Sequence, residues 1–313
     1  MNTKVIEKDI LETLGYFSRF NYPPTIDEIH TFLKKRAQKR HLASILAKIE
    51  KQRLIKSQKS KKTRVSDFEF QIKNSNRYTL GEYSNQAQIY EKRRKISQKK
   101  IKKVLSYIRI LSLFPQIKLV GLSGSVAMLN ADADHDIDLF IITAKNRLFT
   151  GRFLALLLAQ IMGTRRKRDF SRSTFHVLRS TDKVCLNLFL DESNLALPNN
   201  KKTEYGAHEV LQMKPLVQKD ESYLKFIDTN RWVFDIFPNA QELYRSVKRK
   251  DENRVKKDSI VDILLRLIGD SIESMLKKLQ LHFIKKHMTN EIVTNTQLWF
   301  HPDDYAEKIK SQS

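Results

Sequence analysis

One stretch, residues 118–143, limits what this chain can fold into more than any other. Residues 118–122 form a short apolar run that stops at Ser123-Gly124-Ser125. The helix-compatible residues 126–129 follow, and after a ten-residue spacer, 126–135, Asp136-Ile137-Asp138 runs directly into the apolar residues 139–142. Short apolar runs bounded by turn residues read as buried strands. Gly124 lets the backbone turn sharply and approach a ligand closely. A strand, a tight turn, one short helix, a loop and a second strand cannot bury themselves alone. The unit therefore predicts a small mixed sheet covered by helices, an α/β (α+β) fold.

The same residues carry chemistry. Backbone amides at the start of a helix point donors at anionic oxygens, and the Ser125 hydroxyl adds another, so Gly124 and Ser125 are candidate phosphate-binding residues. Asp136 and Asp138 lie two apart on a predicted strand, which turns both carboxylates the same way. A carboxylate pair with open positions suits Mg²⁺ (or Mn²⁺) when substrate phosphates supply the remaining ligands. Asp136 and Asp138 are thus the candidate metal-binding and catalytic residues, with a nucleoside triphosphate as the expected partner. Asp132, Asp134 and His135, just upstream, read as a solvated loop.

The first third of the chain is built differently. Ile10, Leu14 and Phe17 recur at helical spacing before Pro23-Pro24. Thr25 with Glu28 forms a capping box, opening a second helix that carries Ile29 and Phe32. Leu42, Ile45, Leu46 and Ile49 mark a third. Short strands at residues 54–55 and 77–80 flank a basic loop. Three helices followed by a hairpin is the order of a winged-helix-like domain, assigned to residues 1–83. In such a domain the third helix would enter the major groove and the hairpin would touch phosphates, with Lys48, Lys51 and Arg53 and the wing residues Lys59, Lys61, Lys62 and Arg64 as the contacts.

Charge agrees with that placement. Residues 1–115 hold 27 Lys and Arg against 10 Asp and Glu, so +17 of the total +23 falls in this third. Clustered basic charge suits a polyanion, which makes nucleic acid a possible partner of the N-terminal domain. A connecting helix is expected over residues 84–115. Its apolar face holds Ile101, Val104, Leu105, Ile108 and Leu111, and its run Lys92-Arg93-Arg94-Lys95 reads as a solvated face.

Residues 116–200 are assigned to the sheet domain and 201–313 to a helical C-terminal region, including a long element over 255–286 broken at Gly269. No apolar run reaches the roughly 18–20 residues of a membrane helix, so no membrane partner is expected. Residues 1–10 carry charge where a signal peptide is apolar. Cys185 is the only cysteine, which excludes an intrachain disulfide and fits a reducing cytoplasm.

Gly124-Ser125 followed by Asp136-Ile137-Asp138 resembles the polymerase-beta-type nucleotidyltransferase superfamily. The strings LSGSVAMLNADADHDIDLFIIT, KVCLNLFLDESNLALP and AHEVLQMKPLV are similar to bacterial nucleotidyltransferase-domain proteins with an N-terminal winged helix. That resemblance implies Mg²⁺-dependent transfer of a nucleoside monophosphate to an acceptor hydroxyl. It also implies a third acid on the strand VCLNLFL, where Asn187 stands instead. Asp191, four residues on, would lie about 13 Å further along. Catalysis with one metal, a base from the substrate side, or loss of catalysis are all compatible with Asn187. The alternative reading is a non-catalytic, nucleotide-sensing regulator that binds DNA or RNA.

Overall fold

The computed structural model describes residues 3–59, 63–65, 70–72, 76–83, 85–165, 182–242, 244–245, 260–286 and 291–300. The first helix, α1 (Thr3–Ser18), buries Ile6, Ile10, Leu14 and Phe17. In α2 (Ile26–Phe32) the capping box forms as expected: the Thr25 hydroxyl accepts from the Glu28 amide, and the Glu28 carboxylate accepts from the Thr25 amide at 2.8 Å. Helix α3 (Lys39–Lys51) turns Leu42, Ile45, Leu46 and Ile49 inward. Strand β1 (Ile55–Lys59) extends into the basic stretch expected to be loop and pairs antiparallel with β4 (Asn76–Leu80). Between them β2 (Thr63–Val65) pairs with β3 (Phe70–Ile72). Lys61 and Lys62 lie outside the described residues.

Helix α4 (Gln86–Leu111) buries the expected stripe Ile101, Val104, Leu105, Ile108 and Leu111. Its basic run is only partly solvated. Arg94 is buried against Glu91 at 2.7 Å, and Arg93 bonds Asp132. There follow β5 (Ile117–Leu122), the single turn α5 (Gly124–Ala127), β6 (Ile137–Thr143), α6 (Leu148–Ile161) and β7 (Val184–Asp191). The remaining elements are α7 (Glu204–Gln212), β8 (Lys214–Gln218), α8 (Ser222–Thr229), α9 (Val233–Ile236), α10 (Ile260–Lys285), β9 (Ile292–Val293) and β10 (Gln297–Trp299).

The fold is mixed α/β with one mixed six-stranded sheet, ordered β8-β5-β6-β7-β10-β9, in which only β6 and β7 run parallel. Both faces are covered. One buried cluster joins Ile137, Leu139 and Ile141 of β6 to α4, α6 and α10 through Ile108, Ala155 and Leu276. The other joins Phe140 and Ile142 to α7, α9 and the N-terminal helices through Val210, Val233, Phe17 and Phe32. Alternate residues of β6 thus feed alternate faces, as a strand buried on both sides requires.

Two expectations are corrected here. Residues 201–313 contribute three of the six strands, so the sheet extends well beyond residues 116–200. These strands are short, and β8 contains Pro215, which is tolerated because β8 is an edge. Helix α10 also runs unbroken through Gly269. The Arg147 guanidinium packs where a side chain would be, with Nη2 2.6 Å from the position of a Cβ. Among the described residues no helix is long and apolar enough to cross a membrane.

Candidate active site

Strand β5 ends at Leu122, and the next residue, Ser123, donates its amide to the Asp138 carbonyl at 3.1 Å, just beyond the ladder between β5 and β6. The chain then turns at Gly124 with φ +59, a left-handed conformation that glycine adopts without strain. A Cβ at Gly124 would stand 2.9 Å from the Asp138 Oδ2. The turn and the acid are therefore in van der Waals contact, which links the two halves of the sequence motif directly. Helix α5 has only four residues, so its dipole adds little, and the amides of the turn itself remain the donors for an anion.

Ser125 is held from the loop. Its hydroxyl shares a hydrogen bond with His135 Nδ1 at 3.0 Å, and its carbonyl accepts from the Asn130 amide at 2.8 Å. The loop is exposed at residues 133–135, as its composition suggests, and is anchored at Asp132. Asp132 accepts two hydrogen bonds from Arg93, at 2.6 and 3.1 Å. Burial opposes ionisation of Asp132, but the bond and charge of Arg93, with His135, hold its carboxyl below the usual carboxylate range.

Asp138 lies on β6 between the fully buried Ile137 and Leu139, whereas Asp136 precedes the strand. Both acids are half-buried. Asp138 pairs in register with Cys185 of the parallel strand β7. Between that pair and Phe140–Leu188, β7 carries one extra residue, a bulge that includes Asn187. The Asn187 side-chain amide donates to Cys185 Sγ at 2.7 Å, and the Asn187 backbone carbonyl accepts from the Phe300 amide at 2.8 Å. Asp191 pairs with Thr143 at the far end of β6. It is fully buried there, accepting from the Arg147 and Ser193 amides at 3.2 and 2.9 Å. It closes a turn and belongs to no site with Asp138.

A third carboxylate reaches this region from an element that the sequence pattern did not single out. Glu209 of α7 is near enough to feel the charge of Asp138, and its carboxyl is pushed up to about 7. Burial is the larger cause and the negative charge of Asp138 the second, while a hydrogen bond from Tyr205 opposes them. The available signal was a charged residue between Ala207, Val210 and Leu211, all buried in the cluster that also takes Phe140 and Ile142. Lys214 completes the surroundings. It pairs with Leu122, one residue before the turn, and burial draws its ammonium below the usual lysine range against the pull of Glu28.

Among the described residues, no group of three or more His, Cys, Asp or Glu side chains is arranged to hold a metal ion unaided. Asp138 beside the turn, with Asp136 two residues upstream, nevertheless suits Mg²⁺, which commonly takes one or two protein carboxylates and completes its shell with phosphate oxygens and water. His208, the nearest histidine on α7, is committed elsewhere. It is stacked between Tyr16 at 3.9 Å and Phe32 at 4.3 Å, and burial holds it well below the usual histidine range.

In the N-terminal region, Lys51, Arg53 and Lys59 are exposed, while Lys48 is engaged by Glu7 of α1 at 2.5 Å. Comparison of the chain with models of known protein families, with curated proteins and with solved structures finds no match.

Proposed function

We propose that this protein is a Mg²⁺-dependent nucleotidyltransferase that moves a nucleoside monophosphate from a nucleoside triphosphate to an acceptor hydroxyl. The observation that carries the reading is the contact between the left-handed Gly124 turn and Asp138, 2.9 Å from a Cβ position to the carboxylate. A phosphate cradle and an acid pair so close together suit a triphosphate and its cation. The sheet around them corresponds, in this reading, to a nucleotidyltransferase domain, residues 1–83 to a winged helix and residues 84–115 to a connecting helix.

The roles follow from the positions. The amides of Gly124 and Ser125 and the Ser125 hydroxyl bind the terminal phosphates. Asp136 and Asp138 hold the cation, which when bound offsets charge on the α-phosphate and the departing pyrophosphate. Glu209, with its carboxyl near neutrality, is matched to accept the proton of the acceptor hydroxyl. The hydroxyl oxygen then bonds to the α-phosphorus as the bond to pyrophosphate breaks. Transfer of label from an α-labelled nucleoside triphosphate, dependent on Mg²⁺ or Mn²⁺ and abolished in an Asp136→Ala, Asp138→Ala double variant, is the expected result. Transfer undiminished in that variant would refute the assignment.

A second reading rests on Asn187. Its amide is turned to Cys185, a neutral arrangement where the resemblance implies an acid. A protein that binds nucleotide and nucleic acid without turnover accommodates this better. It predicts nucleotide binding with no transfer under any divalent metal.

A further inference from the structure

The acidic loop, residues 131–136, is gripped along its length by one helix. The face of α4 that lies on the sheet through Ile101, Val104 and Ile108 continues upstream through Ser97 and Arg93, with Lys100 beside it, and there it becomes polar without becoming exposed. Arg93 donates to Asp132 through Nε and Nη2, at 3.1 and 2.6 Å. The Ser97 hydroxyl accepts from the Ala131 amide at 2.9 Å and donates to the Arg93 carbonyl at 2.9 Å. Lys100 Nζ donates to the carbonyls of Ala133 at 2.9 Å and His135 at 2.6 Å, and to Asp182 Oδ1 at 2.6 Å.

Lys100 is 1% exposed, and its three donors have three acceptors. A buried ammonium is expensive unless fully partnered, and an apolar side chain would fill the same space more cheaply. What an apolar side chain would not do is fix two loop carbonyls, the second of which belongs to the residue directly before Asp136. The grip extends to the N-terminal helices. The Phe20 carbonyl accepts from Arg93 Nη1 at 3.2 Å and from the Asn130 amide group at 2.8 Å.

We propose that Lys100, supported by Ser97 and Arg93, is a positioning residue for the acid pair, holding the backbone of residues 131–136 so that Asp136 and Asp138 stand in a fixed relation to the Gly124 turn. The functional part of this inference rests on the nucleotidyltransferase reading; the mechanical part does not.

The test uses the full-length protein with Lys100→Met, which keeps the side-chain length, and Ser97→Ala, which leaves the helix and its packing intact. Hydrogen–deuterium exchange without ligand is expected to quicken at least tenfold over residues 131–136 in Lys100→Met. It should also quicken there in Ser97→Ala, with the β5–β6 ladder unchanged. Mn²⁺ binding read by electron paramagnetic resonance is expected to weaken about tenfold in Lys100→Met. If Lys100→Met loosens the whole chain, Ser97→Ala decides. Loop exchange equal to wild type in Ser97→Ala overturns the proposal, as does unchanged loop exchange in a folded Lys100→Met. Wild-type protein that binds no Mn²⁺ fails the functional reading alone, because the exchange result still reports whether the helix holds the loop.

Discussion

Replacing Gly124 with alanine separates the strain of the turn from its contact with the acid. An L-residue in the left-handed region is disfavoured by roughly 1–2 kcal/mol. For a chain of this size that lowers the melting temperature by about 1.5–3 °C. The added Cβ also meets Asp138 Oδ2 at 2.9 Å. Unstrained carbon–oxygen approaches begin near 3.3 Å, so the carboxylate must retreat by about 0.4 Å. Misplacement by 1 Å lowers rates on the order of 10²-fold, which scales to about tenfold here. Gly163 is the control. It has φ +64 and nothing within 4 Å of its Cβ position, so Gly163→Ala carries the same backbone penalty without touching the site. Differential scanning fluorimetry on both variants, beside transfer of an α-labelled nucleotide or Mn²⁺ binding, reads the two effects separately. Both variants should melt earlier, and only Gly124→Ala should lose activity or metal affinity. Equal functional loss in both, or none in either, would show that the contact with Asp138 is without consequence.

Glu209 gives a pH dependence with a definite sign. The unfolded glutamate releases its proton near 4.5 and the folded one near 7, so between these values the folded state keeps a proton that the unfolded state has lost. Stability therefore falls as pH rises through this window. Glu209→Gln should match wild type near pH 4.5 and gain on it toward pH 8 in melting curves, and a difference constant with pH would contradict the burial of that carboxyl. Arg77 is 6% exposed, donates to the Pro23 carbonyl at 2.6 Å and lies 4.3 Å from the Tyr90 ring centroid, with Glu28 at 3.5 Å. Arg77→Met should lower unfolding free energy in urea by about 3 kcal/mol or more, and adding Glu28→Gln should recover part of that loss. If the N-terminal region binds duplex nucleic acid, replacing Lys51, Arg53 and Lys59 with glutamine should reduce the slope of log affinity against log salt by about 2–3. An unchanged slope in fluorescence anisotropy would exclude that face.

Much of this was legible because the governing forces were local. The Thr25–Glu28 capping box, the 0, 3, 4, 7 stripe of α3 and the buried stripe of α4 follow from neighbours a turn apart. The Gly124 turn and Asp138 were recognisable because order and spacing along the chain brought them together. Strands β8 and β10 were not. Five residues with a proline and three residues ending at Trp299 have no strand pattern of their own and become strands only by pairing with β5 and β7. Glu209 and Lys100 escaped for the same reason. Each looks like an ordinary helix-surface charge, and only groups far along the chain, the charge of Asp138 for Glu209 and the carbonyls of Ala133 and His135 for Lys100, distinguish it. The solvated loop at Asp132, Asp134 and His135 was legible too, and residues 133–135 are exposed; what a polar loop does not show is which helix anchors it, here through Arg93 and Asp132.

The strand order has a consequence for how the protein is made. The three middle strands that carry the acid pair, β5, β6 and β7, leave the ribosome first, and the strands that flank them come from residues 214–218 and 292–299. Until those late segments arrive, β5 and β7 each present an open row of backbone donors and acceptors on a strongly apolar sheet, the condition that invites intermolecular pairing. Nascent chains stalled or cleaved before Gln297 should therefore accumulate as aggregates rather than as soluble fragments, and the last-synthesised strands act as the protein's own guard against misassembly.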